Sequence, residues 1–261
     1  MLFCPLYSGS SGNALFVEAG SVRLLIDAGL PGRRIEAALQ QIGVPPDTLN
    51  AILVTHEHSD HIKGVGVLSR KYGLPVYANA PCWAAMEPLI GQVAPRNIRV
   101  FETGQDFYLK EINVLPFPTP HDSAQPVGYA LFHQGRKLCV MTDIGHMQPA
   151  LLDAAEGSDL LLLEANHDID MLKNGPYPYA LKQRILSPRG HLSNLDAGKT
   201  LCRLYTKGVR NVILGHLSAQ NNEERIAMAT VWQALRQEDV FEGMHLAMAH
   251  RDRPAGLFHI Q

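Results

Sequence analysis

A chain of 261 residues, 46% of them hydrophobic, is long enough to bury a large core in one α/β domain or a tightly fused pair, and is taken here as a single domain over 1–261. With 18% charged residues and a net charge of −2 it is neither a disordered chain nor a broad coat for nucleic acid, although a small basic groove beside a site remains open. The start Met1-Leu2-Phe3-Cys4-Pro5-Leu6-Tyr7 has no signal-peptide pattern, and no stretch approaches the ~20 apolar residues of a membrane span. Cys4, Cys82, Cys139 and Cys202 are scattered without C-x-x-C spacing, which suits a reducing cytoplasm better than a disulfide framework.

In chain order, residues 2–7, 14–18 and 22–27 read as strands parted by Gly/Ser/Asn turns. Pro31 opens a helical stretch with Ile35, Ala38, Leu39 and Ile42 on one face, closed by Gly43. A short buried strand at 51–54 precedes a helix over 62–72, a strand at 75–78 and a helix over 81–89. Strand-like runs follow at 98–101, 107–109, 112–117, 127–132 and 137–141, and the continuous apolar run 160–163 suits a strand covered on both faces. Ser193, with Asp196 three residues on, resembles a capping box opening a helix that stops near Gly208. A strand at 211–214, a helix over 223–236 and strands at 245–248 and 257–260 complete the pattern. No linker or repeat divides the chain, so two sheets flanked by helices are expected.

The chain holds twelve histidines, and their placement decides the chemistry. Thr55-His56-Glu57-His58-Ser59-Asp60-His61 follows the 51–54 strand directly. Three imidazoles and a carboxylate at a strand end cannot all turn into a core. Their nitrogen and oxygen donors suit Zn, Mn or Fe, and their number exceeds what one tetrahedral ion takes. In an extended segment His56 and His58 point the same way, while Asp60 and His61 sit past the bend and can serve a neighbouring ion. The plain alternative is an exposed loop that is His-rich by accident.

This H-x-H-x-D-H run resembles the signature of the metallo-β-lactamase superfamily, whose fold is a four-layer αββα sandwich. The superfamily pattern asks for three further ligands, each in a loop after a strand. His121 in Thr119-Pro120-His121-Asp122, Asp143 in Thr142-Asp143-Ile144-Gly145 and His216 in Gly215-His216-Leu217-Ser218 stand at such places. The resemblance implies two divalent ions: His56, His58 and His121 on one, Asp60, His61 and His216 on the other, and Asp143 bridging. Taken singly, His121 and Asp143 read as turn residues and His216 as a loop histidine.

A narrower likeness, over essentially the whole length, is to the YycJ/WalJ subgroup. It is carried by Ser8-Gly9-Ser10-Ser11-Gly12-Asn13, Glu164-Ala165-Asn166-His167-Asp168, Gly190-His191-Leu192-Ser193-Asn194 and Gly215-His216-Leu217-Ser218 with Asn221-Asn222. That subgroup is described as DNA exonucleases working from the 5′ end, and related branches include ribonuclease Z and cyclic phosphodiesterases. The resemblance therefore implies a dinuclear phosphodiesterase acting on DNA, with a metal-held hydroxide as nucleophile and Asp60 helping to orient it. His191 is an imidazole beyond the seven implied ligands, available to protonate a leaving oxygen; packing beside the Ser193 cap is its plainer role. His167 reads equally as a group near the site or as one that orients a ligand.

Lys182, Arg184 and Arg189 are the candidates to grip phosphates, against an ordinary solvating role. Ser10 and Asn13 are candidates to touch substrate from a loop whose main role is a turn, and Tyr177 and Tyr179 to stack on bases. The remaining histidines, 133, 146, 245, 250 and 259, show no ligand spacing. A thioester, lactone or β-lactam hydrolase on the same fold, and a metal-binding scaffold without catalysis, are the competing classes. Nothing in the pattern specifies an oligomer.

Overall fold

The computed structural model describes residues 1–260, and it has two seven-stranded sheets packed face to face with helices outside. The first half supplies β1 (Leu2–Tyr7), β2 (Ala14–Ala19), β3 (Val22–Ile26), α1 (Gly32–Gln41), β4 (Ala51–Leu53), α2 (Ser59–Ile62), α3 (Val65–Tyr72), β5 (Val76–Asn79), α4 (Ala80–Ile90) and β6 (Ile98–Phe101). The second supplies β7 (Phe107–Leu109), β8 (Ile112–Pro118), β9 (Val127–His133), β10 (Arg136–Met141), α5 (Pro149–Ala155), β11 (Leu160–Glu164), α6 (Ile169–Asn174), α7 (Tyr179–Ile185), α8 (Asn194–Tyr205), β12 (Asn211–Gly215), α9 (Glu224–Gln237) and β13 (His245–Met248). The last strand, β14 (Phe258–His259), returns to pair with β1.

The strand orders are β14-β1-β2-β3-β4-β5-β6 and β13-β12-β11-β10-β9-β8-β7. Each sheet begins as antiparallel hairpins and continues as parallel strands joined through helices, β3 to β6 in one and β10 to β13 in the other. Parallel strands are covered on both faces, which is why β4, β11 and β12 read as unbroken apolar runs. Three separate cores make four layers. One lies under α1, α3 and α4, one between the sheets, and one under α5, α8 and α9. This is the αββα sandwich expected from the sequence.

Local departures have physical reasons. The expected helix at 62–72 is broken into α2 and α3, because the Gly64 N–H turns away to donate to Ala28 O at 2.7 Å. A Cβ on Gly64 would lie 2.4 Å from Leu30 O, so only glycine lets the chain pass there. The Ser193 cap is real: its hydroxyl accepts from the Asp196 N–H at 3.1 Å. The short helices α5, α6 and α7 have no counterpart among the expected elements. Each is only six or seven residues long, too short to show a helical period.

The two sheets are registered against each other at one end. Tyr129 of β9 is fully buried and donates its hydroxyl to Val54 O at 2.6 Å, and the Val127 N–H donates to Thr55 O at 3.0 Å. These bonds pin the segment that carries the first histidines to the opposite sheet.

Candidate metal centre and active-site cleft

The ionisable cluster is assembled where strands end. β3, β4, β10, β11 and β12 all deliver their carboxyl ends to one edge of the sandwich, and β8, running the same way as β10, delivers His121 there. His56 and His58 come from the extended segment after β4. At His58 the chain enters α2, whose single turn brings Asp60 and His61 back toward the same point. The close approach of that turn to the neighbouring loop depends on Gly29, where a Cβ would sit 1.6 Å from Asp60 O.

Three residues at this edge, Asp27, Asp143 and His216, have φ of 62°, 58° and 56°. Left-handed backbone costs a non-glycine residue on the order of 1 kcal/mol or more, and it persists only where the surroundings fix it. At His216 the fixing bond is its N–H to the buried Ser8 Oγ, 2.9 Å. At Asp27 it is the side chain: Oδ1 accepts from the Thr55 N–H at 2.8 Å, and Oδ2 accepts from the Thr55 hydroxyl at 2.8 Å and faces His61 Nδ1 at 2.7 Å.

The structure brings His56, His58, Asp60, His61, His121, Asp143 and His216 together. Donor atoms of His56, His58 and His121 lie within 4.8 Å of one another, as do those of His56, His61 and Asp143 and those of Asp60, His61 and His216. His61 Nε2 is 3.3 Å from Asp143 Oδ2 and 3.6 Å from Asp60 Oδ2, and His121 Nε2 is 3.5 Å from Asp143 Oδ1. His56 Nε2 and His58 Nδ1 face each other at 3.1 Å, a spacing two ring lone pairs keep only around a shared proton or cation.

The far nitrogen of most rings is tied down. His121 Nδ1 donates to Gly190 O at 3.0 Å, His61 Nδ1 to Asp27, and His216 Nδ1 to Glu164 Oε1 at 2.9 Å. That leaves Nε2 of each facing inward with its lone pair, the arrangement that prepares a histidine for a cation. His121 Nε2, Asp143 Oδ2 and His216 Nε2 are buried and have no hydrogen-bond partner. Buried polar atoms are otherwise almost always satisfied, so this donor set fits divalent metal.

Electrostatics at the cluster run in opposite directions. Burial disfavours charge on His61, yet Asp143, Asp27 and Asp60 outweigh it and push its imidazole up to about 9. His216 is likewise raised, against its burial, by Asp143, Asp60 and Glu164. His56 is driven well below the ordinary imidazole range by burial and by the other histidines around it. Burial would raise Asp60 and Asp143, but the neighbouring imidazoles hold both carboxyls low. Metal and protons therefore compete for the same atoms.

Two holders were not legible as such. Glu164 is fully buried at the end of β11, with Oε1 facing His191 Nδ1 at 2.7 Å and His216 Nδ1, and Oε2 accepting from the Ile144 N–H at 2.8 Å and the Leu192 N–H at 3.2 Å. Asp27 plays the same part for His61. The signal was present: each is a lone carboxylate closing an otherwise apolar strand, 160–163 and 24–26.

The cluster forms one wall of a cleft of about 240 Å³, also lined by Ser10, Tyr177, Arg184, His191 and Ser218. A wider groove of about 640 Å³ between α8 and α9 contains no histidine or aspartate. Other expected substrate groups are placed differently. Asn13 is only 2% exposed and points inward, its Nδ2 3.1 Å from His61 Nε2 and its Oδ1 accepting from the Gly9 N–H at 3.0 Å, so it braces the ligand loops instead of facing the cleft. Arg184 is on the cleft but paired with Asp122. Arg189 donates to His121 O at 2.9 Å, and Lys182 Nζ to Lys173 O at 2.7 Å. Tyr179 is 77% exposed outside the cleft lining. His167 is buried, and neither of its ring nitrogens has a partner.

Comparisons with known proteins agree with this geometry. A family model described as a beta-lactamase superfamily domain matches residues 22–217. The chain is 42% identical over 236 residues to exodeoxyribonuclease YycJ of Bacillus anthracis, covering 90% of this chain and 89% of the relative. It is 41% identical over 241 residues to exodeoxyribonuclease WalJ of Streptococcus pneumoniae, covering 92% and 90%. Among solved structures, Zn²⁺-bound PqqB from Methylobacterium extorquens superposes with a TM-score of 0.71 at 18% identity, covering 97% of this chain and 99% of that one, a likeness of fold.

Proposed function

The chain belongs to the beta-lactamase superfamily domain family, and from that membership we propose that it is a metal-dependent phosphodiesterase whose substrate is DNA, digested from an end as an exonuclease. The substrate class is supported by the two exodeoxyribonuclease relatives, and the 5′-to-3′ direction is the finer part of the proposal. The observation that carries the chemistry is the Glu164–His191 pair standing beside the histidine and aspartate cluster on one cleft.

In this reading two divalent cations, Zn or Mn with Fe as a further candidate, would be held by His56, His58, Asp60, His61, His121, Asp143 and His216. Such ions act as Lewis acids on a phosphoryl oxygen and lower the pKa of water. The protein's own groups do the rest. Asp27 and Glu164 fix the tautomers of His61 and His216, so that Nε2 of each points at the cluster. Glu164 also accepts from His191 Nδ1, which leaves the other ring nitrogen able to carry a proton to a departing alkoxide. Asp60 stands at the cleft, where it can orient the attacking water. Tyr177 offers a ring for stacking on the base next to the reacting phosphate. The four cysteines are free, in keeping with the proposed cytoplasmic setting, and no helix among the described residues is long and apolar enough to cross a membrane.

The test is digestion of end-labelled single- and double-stranded DNA by the metal-loaded protein, with bis(p-nitrophenyl) phosphate as a minimal phosphodiester. Shortening from the 5′ label, abolished by chelation and restored by Zn or Mn, is expected. Inertness toward both substrates together with rapid opening of a thioester or lactone would transfer the site to carbonyl chemistry.

A further inference from the structure

Across Ser10 and Ser11 from the cleft lies a second concavity of about 420 Å³, lined by Ser11, Arg34, Glu224, Arg251, Asp252 and Arg253. We propose that it takes the sugar–phosphate backbone of a single nucleic-acid strand whose reacting phosphate lies in the adjoining cleft, an inference that rests on the phosphodiesterase reading above.

The two spaces are contiguous. Ser10 lines the cleft and Ser11 the concavity. The Arg251 Nη1 donates to the carbonyl of Ser218, itself a cleft residue, at 3.4 Å. Strand topology places them so: β12 and β13 are parallel with Leu214 opposite Met248, so His216 and Arg251 leave the sheet at the same edge.

The charge there is available. Glu224 is engaged by His250 Nδ1 at 2.7 Å, and Asp252 by Arg253 at 3.5 Å. Among the described residues no carboxylate oxygen lies within 4.0 Å of the Arg34 or Arg251 guanidinium. On the opposite flank Arg184 is neutralised by Asp122. A polyanion leaving the cleft past Ser10 and Ser11 meets two guanidinium groups, Arg34 and Arg251, that no carboxylate among the described residues neutralises within 4.0 Å.

Arg34 stands with Arg33 in the first turn of α1, which holds no acidic residue, and a cation there opposes the helix dipole. Its guanidinium nevertheless stays over the Tyr7 ring, 5.1 Å from the centroid, while the Tyr7 hydroxyl donates to Arg34 O at 3.3 Å. A guanidinium held in place beside a helix N-terminus is a good partner for phosphate oxygens.

The experiment is fluorescence anisotropy of a labelled, hydrolysis-resistant phosphorothioate oligothymidine with the metal-loaded protein over a salt series. The double variant Arg34→Gln/Arg251→Gln is expected to bind at least about ten-fold more weakly at low salt. Its slope of log affinity against log salt should fall by about 1.4, because each single-strand phosphate contact contributes about 0.7. Arg34→Gln alone, on an exposed side chain, should lower the slope by about 0.7 and covers the case of a double variant that does not fold. Arg236→Gln, at the opposite end of α9, serves as the control that leaves the slope alone. Wild-type affinity and slope in the folded arginine variants would overturn the inference. Arginine-dependent binding without hydrolysis of any DNA would remove the phosphodiesterase reading and leave this site standing; hydrolysis with arginine-independent binding would do the reverse.

Discussion

Replacing Asp27 with Asn removes one charge and almost no volume, and Asn tolerates the φ of 62° at this position better than most residues. The carboxylate accepts three hydrogen bonds, from the Thr55 N–H, the Thr55 hydroxyl and His61 Nδ1. An amide cannot replace it in either orientation. With its oxygen toward the Thr55 N–H, its NH₂ faces His61 Nδ1, and the ring must move its proton to Nε2, the atom needed for a cation. With its oxygen toward His61, its NH₂ meets the Thr55 N–H donor to donor. Losing a carboxylate that orients a metal-binding histidine typically costs 10–100-fold in metal affinity, or about 1.4–2.8 kcal/mol. Asp27→Ala should do worse, since alanine adds roughly 1–2 kcal/mol of left-handed backbone strain. Competition against a chromophoric chelator measures the affinity without reference to turnover. An Asp27→Asn protein that holds metal as tightly as wild type would refute the tautomer argument.

Three further outcomes are expected. His191→Ala should keep its metal content while kcat on a DNA substrate falls by about 10²–10⁴, the usual worth of a positioned acid; full turnover with metal bound would return His191 to a packing role. Burial holds His167 down to about 4, against the opposing pull of Glu164. A depressed imidazole contributes stability above its unfolded value near 6.5 and loses it as pH falls toward 4, on the order of 3 kcal/mol in all. His167→Leu should therefore flatten the acid limb of a melting-temperature profile between about pH 6.5 and 4, and an unchanged limb would contradict the assignment. Gly29→Ala forces a Cβ to 1.6 Å from Asp60 O and 2.8 Å from the Asn13 nitrogen, both backbone atoms. Overpacking commonly costs about 1–3 kcal/mol, and this contact should reach the top of that range in a denaturant titration; a stability equal to wild type would mean the two loops are not locked together.

Most of the scaffold could be read locally. The strands announced themselves through unbroken apolar runs such as Leu160-Leu161-Leu162-Leu163, because parallel strands have no solvent face to encode. The convergence of the candidate ligands on one place was readable because they stand after strands and the first four are crowded into His56 to His61. What escaped was set by contacts between distant segments. Nothing near Gly64 says that its N–H will seek Ala28, and nothing near Arg184 says that Asp122 will claim it. Asn13 looked like a turn residue able to touch substrate, yet its amide turns inward to Gly9 and His61. Glu164 and Asp27 carried a visible oddity, a charge ending an apolar strand, but their histidine partners lie 27 to 52 residues away.

The division of the cluster between the two sheets has a consequence for biogenesis. His56, His58, Asp60 and His61 hang from the first sheet, whereas His121, Asp143 and His216 hang from the second. A nascent polypeptide leaving the ribosome thus displays a histidine-rich half-site long before its counterpart has been synthesised. Only when His216 has emerged and the two leaves have closed can the full coordination sphere exist. Bound metal would rivet the seam, and splitting the protein near residues 102–106, between β6 and β7, should yield halves that recover tight metal retention only when recombined.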